Sequence, residues 1–346
     1  MQNELTMLEI LAPDMKAIIE QRYQILRNIH WNAPIGRRLL AEKVHLTERV
    51  LRGECELLKM QHLIETSQSG MVLSKKGEKL LFDLEHVMDS LTGMEKVERA
   101  LTEFFGNQQC LVIAGDSEKQ TKVLEDFGHE ATQLLTELLP NGDNIIAVMG
   151  GTTMAAIAEN FDTLETATRK NVFVPARGGI GESLSVQANT VAANLAAKSG
   201  GKYRALYVPE QLKNDTYELL IQEPAIQEVL SQILQSNCVI HSIGRALHMA
   251  NRRGMSEEEI VNLRKLGAVA ESFGYFFNEQ GQIVYKLARI GLQLKQLEKI
   301  PYIVTIAGGK SKAKAVCAYM KNAPTQTRLI LDEACANEIL KGHPLL

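Results

Sequence analysis

The chain has 346 residues, 45% of them hydrophobic and 23% charged, with a formal net charge of −3. That is enough chain for two or three domains, and the ordinary balance excludes bulk disorder and collagen-like structure. Five scattered cysteines without a C-x-x-C pair argue against a zinc ribbon or disulfide framework and fit a reducing compartment.

The opening MQNELTMLEI lacks the basic-then-apolar order of a signal peptide. No apolar run reaches the ~18 residues that a membrane span needs. A cytoplasmic protein with no membrane partner is expected. Charge is uneven: Arg37–Lys79 holds nine basic against six acidic residues, a modest excess compatible with a nucleic-acid partner.

Met15–Ile29 has apolar residues three and four apart and predicts a helix. Pro34 precedes a second short helix, Gly36–Val44. Thr47 is placed to cap a third, Glu48–Met60. His62–Glu65, the polar turn Ser67–Gly70 and Met71–Leu73 predict a hairpin. Three helices and a hairpin give the order of a winged helix-turn-helix, mainly α. On the wheel of the third helix, Val50, Leu51, Leu57 and Leu58 cluster against Arg49, Arg52, Glu56 and Lys59. Glu54 falls near the apolar side without an evident reason, and Gly53 suits a close approach. The candidate DNA contacts are Arg37, Arg38, Thr47, Arg49, Arg52, Lys59, Lys75 and Lys76, the last two at the hairpin foot. Each alone also reads as ordinary solvated charge; order, spacing and charge together favour DNA.

Leu80–Phe105 predicts one long helix, either a spacer or dimer seam or a helix packed on its own domain. From Cys110 strands and helices alternate. Strands are predicted at Cys110–Ala114, Ile145–Met149, Asn171–Pro175, Tyr203–Val208, Cys238–Ile243, Ile303–Ala307 and Thr327–Leu331. Helices are predicted at Gln120–Leu139, after Gly151, and over Val186–Lys198, Ile226–Gln235, Ser256–Leu266, Lys312–Met320 and Glu333–Leu340, with a hairpin over Tyr275–Tyr285. The fold class is a doubly wound α/β domain with a mainly parallel sheet. The expected division is a DNA-binding domain over 1–90 with a connecting helix to about 107, then an effector and oligomerisation domain over 108–346.

The stretch Asn144–Glu159, NIIAVMGGTTMAAIAE, reads as strand, glycine loop and helix N-terminus. Such a turn aims backbone N–H groups and a helix dipole into one space and suits a phosphate. Many α/β proteins turn this way with nothing bound. Three further loops are expected on the same sheet edge: 175–181 with Arg177, 248–254 with Arg252 and Arg253, and 307–312 with Lys310 and Lys312. Gln187, Asn189 and Glu271 are candidates for sugar hydroxyls. Gly309-Lys310-Ser311 ends no Walker A loop, because the first glycine position holds Val304. His241 and His248 show no metal-ligand spacing, and no metal or catalytic residue is expected.

The motifs VMGGTTMAAIAE (148–159), FVPARGGIGE (173–182), QANT (187–190), ESFGYFFN (271–278) and IAGGKSKA (306–313) resemble the SorC/DeoR-type bacterial transcription regulators along essentially the whole chain. The resemblance implies a repressor whose sensor domain is similar to sugar-phosphate isomerases and deaminases. It implies a phosphosugar effector, fructose 1,6-bisphosphate, as allosteric ligand rather than cofactor. Gly151, Thr152, Thr153 and Met154 would meet one phosphate, with Arg252 and Lys312 nearby and Arg177, Gln187 and Glu271 completing the pocket. Arg253 in place of Arg252, and Lys310 in place of Lys312, stay open. Double-stranded operator DNA before a glyceraldehyde-3-phosphate dehydrogenase operon, and a homodimer or homotetramer, are also implied. The rival is a sugar-phosphate isomerase or deaminase. Such an enzyme needs a general base beside the substrate carbon; Glu271 or Asp332 can be offered, without a linked Asp/His/Glu set.

Overall fold

A computed structural model describes residues 11–92, 94–106, 108–164, 166–178, 183–208, 219–287 and 289–341. The first ten residues, positions 179–182 of the predicted loop, and the side chains of Val87 and Leu91 lie outside that description. The chain forms two compact units that divide between Lys96 and Val97.

In the first unit, α1 (Pro13–Asn32), α2 (Arg37–Lys43) and α3 (Glu48–Met60) are followed by the antiparallel strands β1 (Ile64–Ser67) and β2 (Gly70–Leu73), then α4 (Lys75–Thr92). Leu51, Cys55 and Leu58 of α3 enter a core with Tyr23, Ile25, Ile29, Leu40 and Met71. Val50 stays exposed and Leu57 half-buried, so the apolar side of α3 is narrower than the wheel suggested. Glu54 has its reason: its Oε2 accepts from Arg22 Nε of α1 at 2.8 Å, a pair that braces α3 against α1. Lys75 and Lys76 open α4 rather than ending the hairpin.

Within the predicted helix Leu80–Phe105 the chain is helical on both sides of position 93, which lies outside the described residues: α4 precedes it and α5 (Met94–Phe104) follows. Glu98 and Thr102 of α5 accept from the backbone N–H groups of Val112 and Cys110, at 2.8 and 3.2 Å. Those donors belong to β3 (Cys110–Ile113), an edge strand of the second unit. Capping an open edge in this way prevents stray strand pairing.

The second unit holds a seven-stranded parallel sheet in the order β3-β13-β12-β7-β4-β5-β6. Its further strands are β4 (Gly142–Val148), β5 (Arg169–Pro175), β6 (Lys202–Tyr203), β7 (Cys238–Ser242), β12 (Tyr302–Ala307) and β13 (Thr327–Asp332). The helices are α6 (Val123–Leu138), α7 (Thr152–Glu159), α8 (Ala188–Ser199), α9 (Pro224–Leu234), α13 (Ala313–Met320) and α14 (Glu333–Ile339). The chain winds outward from β4 to β6, then returns to β7 on the other side of β4 and winds the opposite way. The order therefore reverses between β4 and β7, where doubly wound sheets open a crevice at their carboxyl ends.

Three expectations are corrected. The strand at Tyr203–Val208 survives only as Lys202–Tyr203. Beyond it, Asn189 holds Leu206 through paired bonds of 2.9 and 3.1 Å, which also removes Asn189 from the sugar-binding candidates. The segment from His248 is not a loop but most of α10 (Ala246–Arg252). The lone hairpin is part of a four-stranded antiparallel sheet, β8 (Gly244–Arg245), β9 (Ala268–Ser272), β10 (Tyr275–Asn278) and β11 (Ile283–Lys286). With α10, α11 (Glu257–Lys265) and α12 (Leu294–Leu297), this lobe occupies the chain between β7 and β12.

His241 joins lobe to sheet. It is fully buried on β7, within hydrogen-bonding distance of Ser272 Oγ (3.2 Å), Thr305 Oγ1 (2.8 Å) and Tyr319 OH (3.2 Å). Burial outweighs the Ser242 carbonyl and Glu271 and holds its pKa down at about 3. The folded protein thus keeps this ring neutral, whereas the unfolded chain protonates it below about pH 6.5. Stability is expected to fall as pH drops from about 6.5 toward 3, by ~2 kcal/mol between pH 7 and 5 from this group. Urea unfolding at the two pH values, followed by circular dichroism, measures it; His241→Gln should lose that part of the pH dependence.

Candidate functional site

The crevice between β4 and β7 is lined at its base by the loop Met149–Thr153. Gly150 is required there: a Cβ would lie 2.4 Å from the Val186 carbonyl oxygen, where the segment before α8 crosses the loop. Gly151 has φ of +131°, a region that disfavours side chains, and its N–H donates to Val186 at 2.8 Å. That N–H is therefore engaged, and the anion-facing groups at the start of α7 are those of the following residues. Thr152 is exposed at this terminus, and Thr153 Oγ1 accepts from Lys312 Nζ at 3.1 Å.

Five basic side chains line the cleft: Arg177, Arg245, Arg252, Arg253 and Lys312. Two carboxylates share it, Glu118 and Glu271, and both are engaged. Glu118 accepts from the Ser311 hydroxyl and backbone N–H. Glu271 Oε1 lies 3.0 Å from Arg253 Nη1 and 3.5 Å from Arg289 Nη2, and accepts from Gly274 N at 2.7 Å. Burial alone would raise this carboxyl; Arg253, Arg289 and Arg177 outweigh it and hold the pKa at about 2. The cleft thus keeps a positive field after its internal pairs are satisfied.

The lobe supplies much of that field. Arg245, the last residue of β8 and the N-cap of α10, and His248 and Arg252 of α10 all face the cleft. Burial, then Arg245, Arg252 and Lys312, lowers the pKa of His248. Burial likewise lowers that of Lys312, against the pull of Cys335, Asp332 and Glu118. An arriving anion would favour the protonated form of both.

The neighbours that the sequence left open differ in where they stand. Lys312 lines the cleft, whereas Lys310 points to Glu338 at 3.3 Å and is largely exposed. Arg252 and Arg253 both line it, with Arg253 committed to Glu271. The side chain of Met154 is fully buried in the core, which leaves its backbone to face the cleft. Gln187 stands at the N-cap position of α8, without a side-chain cap bond and with its backbone beside Gly150, and is not among the lining residues. Arg245, Glu118 and Arg289 were missed; Arg245 was legible as the residue one turn before His248 once 246–252 is a helix. Asp332, offered as a base, accepts from Ser117, Gly309 and Cys335 and is fully buried. Among the described residues no group of His, Cys, Asp and Glu is placed to hold a metal ion, and no helix is long and apolar enough to cross a membrane.

In the first unit, Thr47 caps α3 by accepting from Val50 N at 3.3 Å. Arg37, Arg38, Arg49, Arg52 and Lys59 are all exposed, as are Lys75 and Lys76. Lys59 Nζ donates to Thr66 Oγ1 at 3.0 Å and Lys76 Nζ to the Gln61 carbonyl at 3.1 Å, which fixes both beside the β1–β2 hairpin. Arg38 and Arg52 sit four residues before Glu42 and Glu56, at 3.7 and 3.4 Å; such exposed pairs are weak and yield readily to a phosphate.

Two family models divide the chain: a CggR N-terminal DNA binding domain over residues 18–88 and a sugar-binding domain over residues 89–341. The central glycolytic genes regulator of Bacillus subtilis is 40% identical over 96% of this chain and 97% of its own. That of Priestia megaterium is 42% identical over 96% of both. The chain belongs to the SorC family of transcriptional regulators. A solved SorC family transcriptional regulator from Enterococcus faecalis is 66% identical, with a TM-score of 0.69, over 71% of this chain and all of that one. The relatives are regulators rather than enzymes, in line with two carboxylates locked into structural bonds where a base was sought.

Removing Glu271 from this regulator would leave Arg253 and Arg289 buried without their counter-charge. Glu271→Ala is expected to cost ~3–5 kcal/mol of stability. Glu271→Gln keeps an acceptor for Gly274 and should cost less. Urea unfolding of the two variants beside the parent orders them.

Proposed function

We propose that this regulator is a cytoplasmic repressor that binds operator DNA through a winged helix-turn-helix. Its affinity is lowered by a phosphorylated sugar, best matched by fructose 1,6-bisphosphate. The DNA-binding domain spans 1–90 with a connection to about 107, and the effector domain 108–346. α2 and α3 form the helix pair, α3 enters the major groove, and the β1–β2 hairpin is the wing. Arg37, Arg38, Thr47, Arg49, Arg52, Lys59, Lys75 and Lys76 meet the DNA.

One observation carries the effector reading: at the reversal of strand order, five cations and a helix N-terminus surround a cleft whose carboxylates are already paired. Two groupings suit a ligand with a phosphate at each end. Gly151, Thr152, Thr153 and the Met154 backbone, with Arg252 and Lys312 nearby, form one; Arg177 and Arg253, arranged around Glu271, form the other. Gln187 steadies the first from behind Gly150. The relatives' name, central glycolytic genes regulator, supports a glycolytic target, the operon of glyceraldehyde-3-phosphate dehydrogenase. The sheet resembles that of sugar-phosphate isomerases and deaminases, with binding kept and turnover lost. The working form is a homodimer or homotetramer, so that sugar binding in one domain alters DNA affinity by a coupling of ~1–3 kcal/mol.

The test is titration of a labelled promoter fragment at two salt concentrations, with and without fructose 1,6-bisphosphate. Salt-dependent binding that the sugar weakens is expected. Thr152→Ala and Arg177→Ala should bind the fragment as the parent does and ignore the sugar. Arg52→Ala should weaken binding and reduce the salt slope by about one, as for one lost phosphate contact. Binding indifferent to the sugar would overturn the effector; no binding at either salt would overturn the repressor.

A further inference from the structure

The outward side of α3 is not uniformly charged. Arg49, Arg52, Glu56 and Lys59 follow one flank. Val50, Gly53, Leu57 and Met60 follow the other, three, four and three residues apart. Val50 is 46% exposed and Met60 73% exposed, although the core beneath takes Leu51, Cys55 and Leu58. At Gly53 a Cβ would meet nothing within 4 Å, so no neighbour within the unit requires a glycine there. In a helix interior, glycine costs about 1 kcal/mol against alanine, and valine is also below alanine in propensity. Folding of the unit thus explains neither residue.

Both lie in the first two turns of α3, the part of a reading helix that meets base edges. In the major groove the C5-methyl of thymine is the apolar mark, and it is read by apolar side chains. Val50 offers two methyls at that position. The bare step at Gly53, one turn on, leaves room for a base edge to approach the helix backbone. The flanking Arg49 and Arg52 supply the charge that a polyanion requires, which favours DNA over a second copy of the chain as the occupant.

We propose that Val50, with the open step at Gly53, reads a thymine methyl in the operator. This rests on the assignment of α3 to the major groove. It makes Val50 a determinant of which sequence is bound, distinct from the cations that set how tightly any DNA is held.

The test uses the full chain and a promoter fragment made in two forms, with dT throughout or with dU, which lacks only the methyl. A scrambled dT fragment serves as reference. The parent should bind the dU form at least about fourfold more weakly, the loss expected for one buried methyl. Val50→Ala should weaken binding to the dT form by a similar factor and bring the two forms close to equal affinity. Val50→Thr, which keeps one methyl, should retain the preference for dT. Circular dichroism checks that the variants fold, as an exposed position allows.

A parent that binds both forms equally overturns the inference, as does a Val50→Ala protein with the parental dT/dU ratio. A change of oligomeric state in Val50→Ala with an unchanged ratio assigns the stripe to a second copy and also overturns it. If the parent shows no preference for the promoter over the scrambled fragment, the assignment of α3 to the operator fails first, and the inference with it.

Discussion

A parallel sheet that reverses its winding direction cannot cover both sides of the reversal with crossover helices. Between β4 and β7 the connections leave in opposite directions, and the carboxyl ends of the two strands are left open. The rest of the domain follows from that gap. The loop after β4 carries the helix N-terminus, the loop after β7 leads into the lobe, and the lobe brings α10 over the opening with its cations facing inward. No single motif makes the cleft; the strand order does.

Charge inside the cleft is held by pairing rather than by exposure to water. Glu271 is the pivot, with Arg253 and Arg289 against its carboxylate and the Gly274 amide on the same oxygen. A carboxylate so placed reduces the repulsion among guanidinium groups that must otherwise sit together in a medium of low dielectric. Its low pKa keeps this role across the physiological range. The backbone helps as well: Ala176 and Gly178 bond to Leu292 and Ile290, which ties the end of β5 to the segment that carries Arg289. Both sides of the cluster are therefore anchored to the chain around them.

Long periodic elements were legible from sequence. The three N-terminal helices, the Thr47 cap and the β4–α7 turn all lie close to where spacing and glycine put them, because each is decided by local forces. The lobe was not legible. β8 has two residues and is a strand only because it pairs with β9, the five-residue run AVAES, which is itself held by pairing with β10. Glu54 likewise had no local explanation, since its partner Arg22 is 32 positions away. Val50 was misplaced because a wheel records periodicity but not how wide a core is available to receive it. In the cleft, sequence named the loops and most of the cations. It missed Arg245, which ends the two-residue β8 at the N-cap of the unpredicted α10, and it could not separate Lys310 from Lys312, because side chains in a 3-10 turn point in different directions.

The His241 junction has a bearing on how this domain can be recombined. One ring meets Ser272 from the lobe, Thr305 from β12 and Tyr319 from α13. The segment between β7 and β12 looks like a cassette, entering and leaving the sheet at adjacent strands. It is not an interchangeable one. A graft of residues 244–300 from a relative with another ring or another hydroxyl at this junction would place a polar atom in the core without its counterpart. Sensor chimeras built on this scaffold therefore need the four residues exchanged as a set, even though three of them lie outside the grafted piece.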